Sequence, residues 1–330
     1  VCDANNIYVT GTTAGGLDGY TNSGEQDIFL VKYDLNGNKL WTRQLGTSAS
    51  DIAHGVAVDS SNNIYVTGET RGGMDNNTSF GDKDIFLVKY DLNGTRQWTQ
   101  QLGTDKEDAG YGITIVSNFS FVTGLTYGAL TGSNSGSSDI FLLKFNNNST
   151  GSIEWIKQLG TTSEDVAYGL TADSSGHIYI TGYTKGNPWN LIGNPDNETN
   201  SGNTDAFILK YYDNSTLHWT ELLGTSFAEV GRSVTADSTN LYLIGDNSST
   251  SGDYDAFLAK FSSSGTNLER SPDWVRYMST SSGEYGYGVV VDSNDYIYTV
   301  GNTGGDLDNN TNSGLQDVFI FKYADNGTKQ

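Results

Sequence analysis

An all-β chain assembled from copies of one four-stranded unit is the fold class that this sequence predicts, and three observations predict it. The segment IYVTG, then DIFLVKYDLNG, then WTRQLGT, running from Ile7 to Thr47, returns with substitutions through all 330 residues. The glycines that close its first piece are Gly11, Gly68, Gly124, Gly182, Gly245 and Gly301, with spacings of 57, 56, 58, 63 and 56 residues. Within each copy, β-branched and aromatic runs alternate with clusters of Gly, Asn, Asp and Ser, which is the chemistry of strands and turns. A repeat of that size made of short strands cannot bury its own faces, so successive copies must cover one another in a radial array.

The second copy shows the elements in order. GVAVD (55–59), NIYVTG (63–68), DIFLVKYD (84–91) and QWTQQLG (97–103) read as four strands. Ser60, Ser61, Asn62 and Asn63 make one short turn, Leu92, Asn93 and Gly94 another, and the link from the second to the third strand is long and variable. Ile85, Phe86, Leu87 and Val88 are apolar in succession, so both faces of the third strand must be covered, as in a blade packed between two neighbours. Trp41, Trp98, Trp155, Trp219 and Trp274 share one phase of the fourth strand, and a residue repeated in every unit is expected to pack between blades. The expected fold is a single β-propeller domain over 1–330, with repeats at approximately 1–54, 55–110, 111–167, 168–230, 231–285 and 286–330.

The joint pattern GVAVDSSNNIYVTG, DIFLVKYDLNG and W-T-x-Q-L-G-T resembles the SBBP family of bacterial and archaeal β-propeller repeats, and more distantly the NHL and PQQ-type repeats. The resemblance covers essentially the whole chain. It implies that GVAVD is the innermost strand of a blade and QWTQQLG the outermost. Val1 falls at the phase of Val58 and Gln330 at that of Gln97, so the first and last blades are expected to be incomplete, about 17 residues short of a six-blade ring. Either a longer chain completes the ring, with seven blades in one version, or a neighbouring molecule fills the seam by strand addition.

Eighteen Lys and Arg against 39 Asp and Glu give a formal charge of −21, which disfavours nucleic acid and anionic membrane as partners. No apolar run is long enough for a membrane span, so membrane insertion is not expected. With only 17 % charged residues and little Lys among much Asn, Ser, Thr and Gly, the surface points to a secreted or cell-surface protein, and the SBBP resemblance implies a prokaryotic one. Cys2 is the only cysteine, so neither a disulfide framework nor a cysteine metal site is expected.

Two loop types hold the candidate sites. The first joins the second and third strands, as LDGYTNSGEQD (17–27), MDNNTSFGDKD (74–84), PDNETNSGNTD (195–205) and LDNNTNSGLQD (307–317). Hard oxygen donors at alternate positions of a Gly-containing turn suit Ca²⁺. The candidate ligands are Asp18, Asn22 and Asp27; Asp75, Asn77 and Asp84; Asp196, Asn200 and Asp205; and Asp308, Asn310, Asn312 and Asp317. The spacing resembles the calcium loops of integrin-type propellers, but is one residue longer and mostly replaces Asp by Asn. Ordinary turn chemistry accounts for the same residues, and both readings stand at this point.

The second loop type carries an acid at a fixed phase: Asp51, Asp108, Asp165, Glu229 and Glu284. Three residues further on stand His54, Tyr111, Tyr168, Arg232 and Tyr287, expected near the central opening. Asp51, Asp108, Asp165, Tyr111, Tyr168 and Tyr287 are candidate ligand-binding residues, together with Trp189 on the longest loop, 185–204. The three histidines lie at three different phases, and no G-x-S-x-G, P-loop or H-E-x-x-H occurs, so enzyme activity is not expected. The function expected is that of an extracellular interaction or scaffold module for protein or glycan partners. The alternatives are a structural subunit that self-assembles through the open seam and a calcium-dependent carbohydrate-binding protein.

Overall fold

The computed structural model describes residues 1–187, 200–248, 253–263, 271–308 and 310–330. Two compact units divide the chain, Val1–Leu159 and Gly160–Gln330, each made of three antiparallel sheets. In the first unit the blades are β1 (Asn6–Thr13), β2 (Asp27–Asp34) and β3 (Lys39–Leu45); β4 (Asp51–Val58), β5 (Ile64–Thr70), β6 (Asp84–Tyr90) and β7 (Arg96–Leu102); and β8 (Asp108–Val116), β9 (Phe119–Thr126), β10 (Asp139–Asn146) and β11 (Ile153–Leu159). In the second they are β12 (Asp165–Ala172), β13 (Ile178–Thr184), β14 (Asp205–Tyr211) and β15 (Leu217–Leu223); β16 (Glu229–Ala236), β17 (Asn240–Ser248), β18 (Tyr254–Ser262) and β19 (Trp274–Met278); and β20 (Glu284–Val291), β21 (Ile297–Thr303) and β22 (Asp317–Tyr323). Strand order in every sheet follows the sequence. The fold class is a β-propeller of six blades, with three strands in the first and last, as the phase of the repeat predicts.

Local chemistry explains the tight turns. The Asp91 carboxylate accepts from the amides of Asn93 (2.9 Å) and Thr95 (2.8 Å), and Gly94 takes the positive φ of 75° that closes the turn. Both faces of the third strand are used, as its double apolar parity requires. Phe86 and Val88 pack against Tyr8 and Leu30 of the first blade, whereas Ile85 and Leu87 pack against Val122 and Phe141 of the third. Each such side chain, fully buried, contributes about 2 kcal/mol.

Hydrogen bonds clasp neighbouring blades at their turns. Lys89 Nζ donates to the Asn147 carbonyl (2.8 Å), Trp98 Nε1 to that of Asn148 (3.0 Å) and Gln100 Nε2 to that of Thr150 (2.8 Å). The same set recurs one blade earlier, where Lys32 donates to Leu92 (3.2 Å) and Arg43 to Gly94 (2.7 Å). In the second unit, Trp274 reaches Asp325 (3.1 Å) and Arg276 reaches Gly327 (2.8 Å). Trp98 and Trp274 therefore close blade interfaces with the indole N–H as well as with the ring.

One expectation needs correcting. Asp51, Asp108, Asp165, Glu229 and Glu284 do not sit on loops; each is the first residue of the leading strand of its blade. The strands start earlier than GVAVD because each contains one extra residue. Pairing runs Ala53 to Gly68 and then Gly55 to Thr67, which leaves His54 as a β-bulge. Tyr111, Tyr168, Arg232 and Tyr287 are bulged in the same way. The bulge also explains the repeat's marker glycine: a Cβ on Gly68 would stand 1.9 Å from the Ile52 carbonyl oxygen.

Candidate functional site

A bulge turns a side chain out of the ordinary alternation of its strand. Five leading strands carry one, and every bulged residue is aromatic or basic. In the Gly160–Gln330 unit these are Tyr168, Arg232 and Tyr287. Arg232 Nε and Nη2 donate to the two carboxylate oxygens of Asp246 at 2.9 and 3.1 Å, a bidentate pair. Asp246 on β17 is only 1 % exposed. Burial pushes its carboxyl up from the ordinary range while the guanidinium opposes that shift. The Arg232 guanidinium also lies 5.0 Å above the Tyr168 ring. On the next blade Tyr287 stacks on Tyr285 with centroids 6.5 Å apart, and Tyr285 stacks on Tyr254 at 5.3 Å. Tyr287 is half exposed, so this unit presents aromatic faces beside a fixed arginine–aspartate pair.

The Val1–Leu159 unit repeats the design with other chemistry. His54 meets Tyr111 edge-on at 4.8 Å, and its Nε2 lies 3.9 Å from Glu69. Lys83 is 3.3 Å from the same carboxylate. Burial would raise the Glu69 carboxyl, but His54 and Lys83 together hold it below the usual range.

Glu69 and Asp246 occupy one phase, directly after the marker glycine, and sequence reasoning missed both. The other bulged blades carry Leu125, Tyr183 and Asn302 there. An acid occurs where the bulged residue is basic, and only there. That pairing between two columns of the repeat is the signal that could have found them.

Asp51, Asp108 and Asp165 lie elsewhere in function. Asp108 is fully buried and accepts from the Thr104 amide (2.6 Å) and hydroxyl (2.8 Å). Asp51 accepts from the Thr47 amide (2.6 Å) and the Thr70 hydroxyl, and Asp165 from the Thr161 amide (2.6 Å). Burial pushes the Asp51, Asp108 and Glu229 carboxyls above their ordinary values. These acids pin the connection between blades and are out of a ligand's reach.

The first loop type is built around its own acids. Asp18, Asp75 and Asp308 share a left-handed backbone (φ 50°, 55° and 55°), and each is paired with a cation: Lys39 at 2.6 Å, Arg96 at 2.6 Å, and Lys329. Asn22, Asn77, Asn200, Asn310 and Asn312 donate their side-chain amides to the carbonyls of Gly24, Met74, Thr184, Leu307 and Thr303. Asp27, Asp84, Asp205 and Asp317 accept from the amides of Ser23, Phe80, Ser201 and Ser313 at 2.8–2.9 Å. A Cβ on Gly103 would stand 1.9 Å from Asp84 Oδ1, so the glycine makes room for the carboxylate. Among the described residues no three Asp, Glu, His or Cys side chains gather as metal ligands. In these three loops Ca²⁺ would have to displace a lysine or arginine from Asp18, Asp75 or Asp308. Trp189 and Asp196 lie outside the described residues.

Three stretches, 40–73, 154–189 and 273–308, match the SBBP β-propeller repeat. The chain carries SBBP β-propeller repeats at these three stretches. It is 29 % identical over 272 residues to an uncharacterized WD repeat-containing protein of Acanthamoeba polyphaga mimivirus, covering 64 % of this chain and 19 % of that one. It is 27 % identical over 190 residues to the regulatory protein FlaEY of Caulobacter vibrioides, covering 51 % and 20 %. The chain thus spans about one fifth of the length of the curated relatives it matches. Among solved structures it is similar to a PL25 ulvan lyase, with a TM-score of 0.55 at 10 % identity over 98 % of this chain and 77 % of that one. At that identity the likeness is one of fold. It still corrects the expectation that this chain is not an enzyme. A polysaccharide lyase has the same fold, so neither the propeller nor the lack of familiar catalytic motifs excludes catalysis.

Proposed function

We propose that this SBBP propeller binds polysaccharide, and that the sugar site of the Gly160–Gln330 unit is its row of bulged residues, Tyr168, Arg232 and Tyr287. The observation that carries the reading is the Arg232–Asp246 pair, set between Tyr168 and the stacked Tyr254, Tyr285 and Tyr287. Pyranose rings offer C–H faces to aromatic planes and hydroxyls to fixed polar groups, and this row presents both. With Asp246 neutralising Arg232, the site suits hydroxyl-rich sugars more than highly charged ones. The sparse Lys and abundant Asn, Ser, Thr and Gly of the surface support a place outside the cell or on its surface.

A polysaccharide panel that includes ulvan tests this by calorimetry, since a related ulvan lyase structure holds a -[GlcA(1-4)Rha3S]- segment. Tyr287→Ala is expected to weaken binding at least tenfold with an unchanged melting curve, and Arg232→Lys to weaken it through loss of the bidentate geometry. Chain length of the bound polymer, followed in the same samples, reads whether it is also cut. Binding unaltered in both variants would remove the row as the site.

A further inference from the structure

The triplet Asn-x-Ser/Thr, the acceptor sequence for N-linked oligosaccharide, occurs eleven times in this chain. Four copies fall on one turn, the link that leaves the third strand of a blade: Asn93 after β6, Asn148 after β10, Asn214 after β14 and Asn326 after β22. All four are exposed, and so is the threonine two residues on, Thr95, Thr150, Thr216 or Thr328. The triplet is read through its hydroxyl as well as its amide, so an acceptor must have both within an enzyme's reach.

The turn fixes its asparagine without engaging the nitrogen. Oδ1 of Asn214 accepts from the Thr216 amide (3.0 Å), that of Asn326 from the Thr328 amide (3.0 Å), and that of Asn148 from the Thr150 amide and hydroxyl (both 2.9 Å). In the second blade Asp91 accepts the Thr95 amide instead (2.8 Å). Among the described residues none of the four Nδ2 atoms donates to a protein group. Backbone carbonyls anchor the turn: those of Asn93, Asn148 and Asn326 accept from Arg43 (2.6 Å), Trp98 (3.0 Å) and Arg276 (3.3 Å) of the preceding blade. Other copies of the triplet fail one of these conditions. Asn147, next to Asn148, is buried and accepts from the Ser120 hydroxyl (2.7 Å), which is itself fully buried and is the hydroxyl of the Asn118 triplet. Asn77 commits its Nδ2 to the Met74 carbonyl (2.8 Å). In the first blade the same turn reads Asn36, Gly37, Asn38, with no hydroxyl at the third place.

We infer that Asn93, Asn148, Asn214 and Asn326 are acceptors of N-linked oligosaccharide, one on each of four blades. The co-reactant is an oligosaccharide joined through its anomeric carbon to a polyisoprenyl diphosphate. Nδ2 attacks that carbon, and a C–N bond forms as the C–O bond to the diphosphate breaks. The diphosphate leaves with the electron pair, and the amide gives one proton to a base of the transferase. In Asn148, Asn214 and Asn326, Oδ1 keeps its bond to the threonine amide throughout, so the turn and its clasp survive the modification. In the organism the transfer needs an exported chain and to that extent rests on the extracellular place proposed above; the acceptor chemistry does not.

The folded chain, a purified oligosaccharyltransferase and a polyisoprenyl-diphosphate oligosaccharide test this, with occupancy read by mass spectrometry of intact glycopeptides. A synthetic peptide of residues 91–97 in the same tube verifies that the enzyme is active. Occupancy at the four turns is expected to exceed that at Asn77, Asn118 and Asn147 at least tenfold, and Asn36 to stay bare. Asn38→Thr is expected to make Asn36 a fifth acceptor; Thr95 holds that place in the second blade, so the turn accommodates the change. Tyr287→Ala, which tests the sugar site, is expected to leave occupancy at the wild-type level, so the two readings fail separately. Bare turns beside a modified peptide, equal occupancy at Asn147 and Asn148, or a bare Asn36 in Asn38→Thr overturns the proposal.

Discussion

Two positions three residues apart on each leading strand have opposite histories within this one chain. The first, at Asp51, Asp108, Asp165, Glu229 and Glu284, is always acidic and always buried, and threonine amides and hydroxyls satisfy it. The second, at His54, Tyr111, Tyr168, Arg232 and Tyr287, changes from blade to blade and sits on a bulge. Uniformity across the repeat marks what every blade needs in order to fold. Variation at a position on a bulge marks where blades are free to differ.

Removing the constant acid should break this comparison most visibly. Asp108→Ala leaves the half-buried Thr104 amide without its acceptor and is expected to cost about 3 kcal/mol in urea unfolding, whereas Tyr111→Ala should cost about 1 kcal/mol. Equal costs at the two positions would erase the distinction. Next in size is Arg232→Ala, expected to destabilise by about 3 kcal/mol because Asp246 is left charged and unpaired. Copying the third blade's solution, Arg232→Tyr with Asp246→Leu, should bring stability back to within about 1 kcal/mol of wild type. A double variant no better than Arg232→Ala would show that the two columns are not coupled.

Acidity offers a smaller effect. Asp51, Asp108, Asp139, Asp205 and Glu229 have folded-state values raised by burial, so the native state takes up protons at a higher pH than the unfolded chain. Stability they withhold at neutral pH is regained as pH falls through those raised values. Asp173, Asp237 and Asp325 are lowered, and their contribution is lost as pH falls below the ordinary carboxylate range. The melting temperature should therefore rise between neutral pH and the upper edge of that range, then fall. A steady decline from pH 7 downward would contradict the assignment, and Asp108→Asn should flatten the rise. Smallest of all, chelator followed by excess Ca²⁺ should leave the melting temperature unchanged. An upward shift with Ca²⁺ would mean that the metal does displace Lys39, Arg96 or Lys329.

The blades were legible in the sequence because periodicity, apolar parity and turn residues all point to the same strands. Bulges were not, because a bulge is a property of pairing register and no residue type announces it. Its trace was present in Gly68, which the sequence shows only as the end of a strand, and whose missing side chain leaves the space that the Ile52 carbonyl fills. Among the candidate site residues, Tyr111, Tyr168 and Tyr287 stand on the bulges. Asp51 and Asp108 were read as loop acids, since a carboxylate beside Gly, Ser and Thr looks solvent-exposed until its burial is known. Glu69 and Asp246 were hidden because each blade was compared along one column at a time.

The lysine clasps fix how such a chain can change length. Every joint within a unit uses the same side chain to grip the same turn, so any blade can follow any other. An in-phase gain or loss of about 57 residues leaves all remaining joints intact, whereas a change of half that length strands a lysine and its turn on either side. Growth and shrinkage by whole repeats are thus nearly neutral events, and only the differences between blades have to be selected.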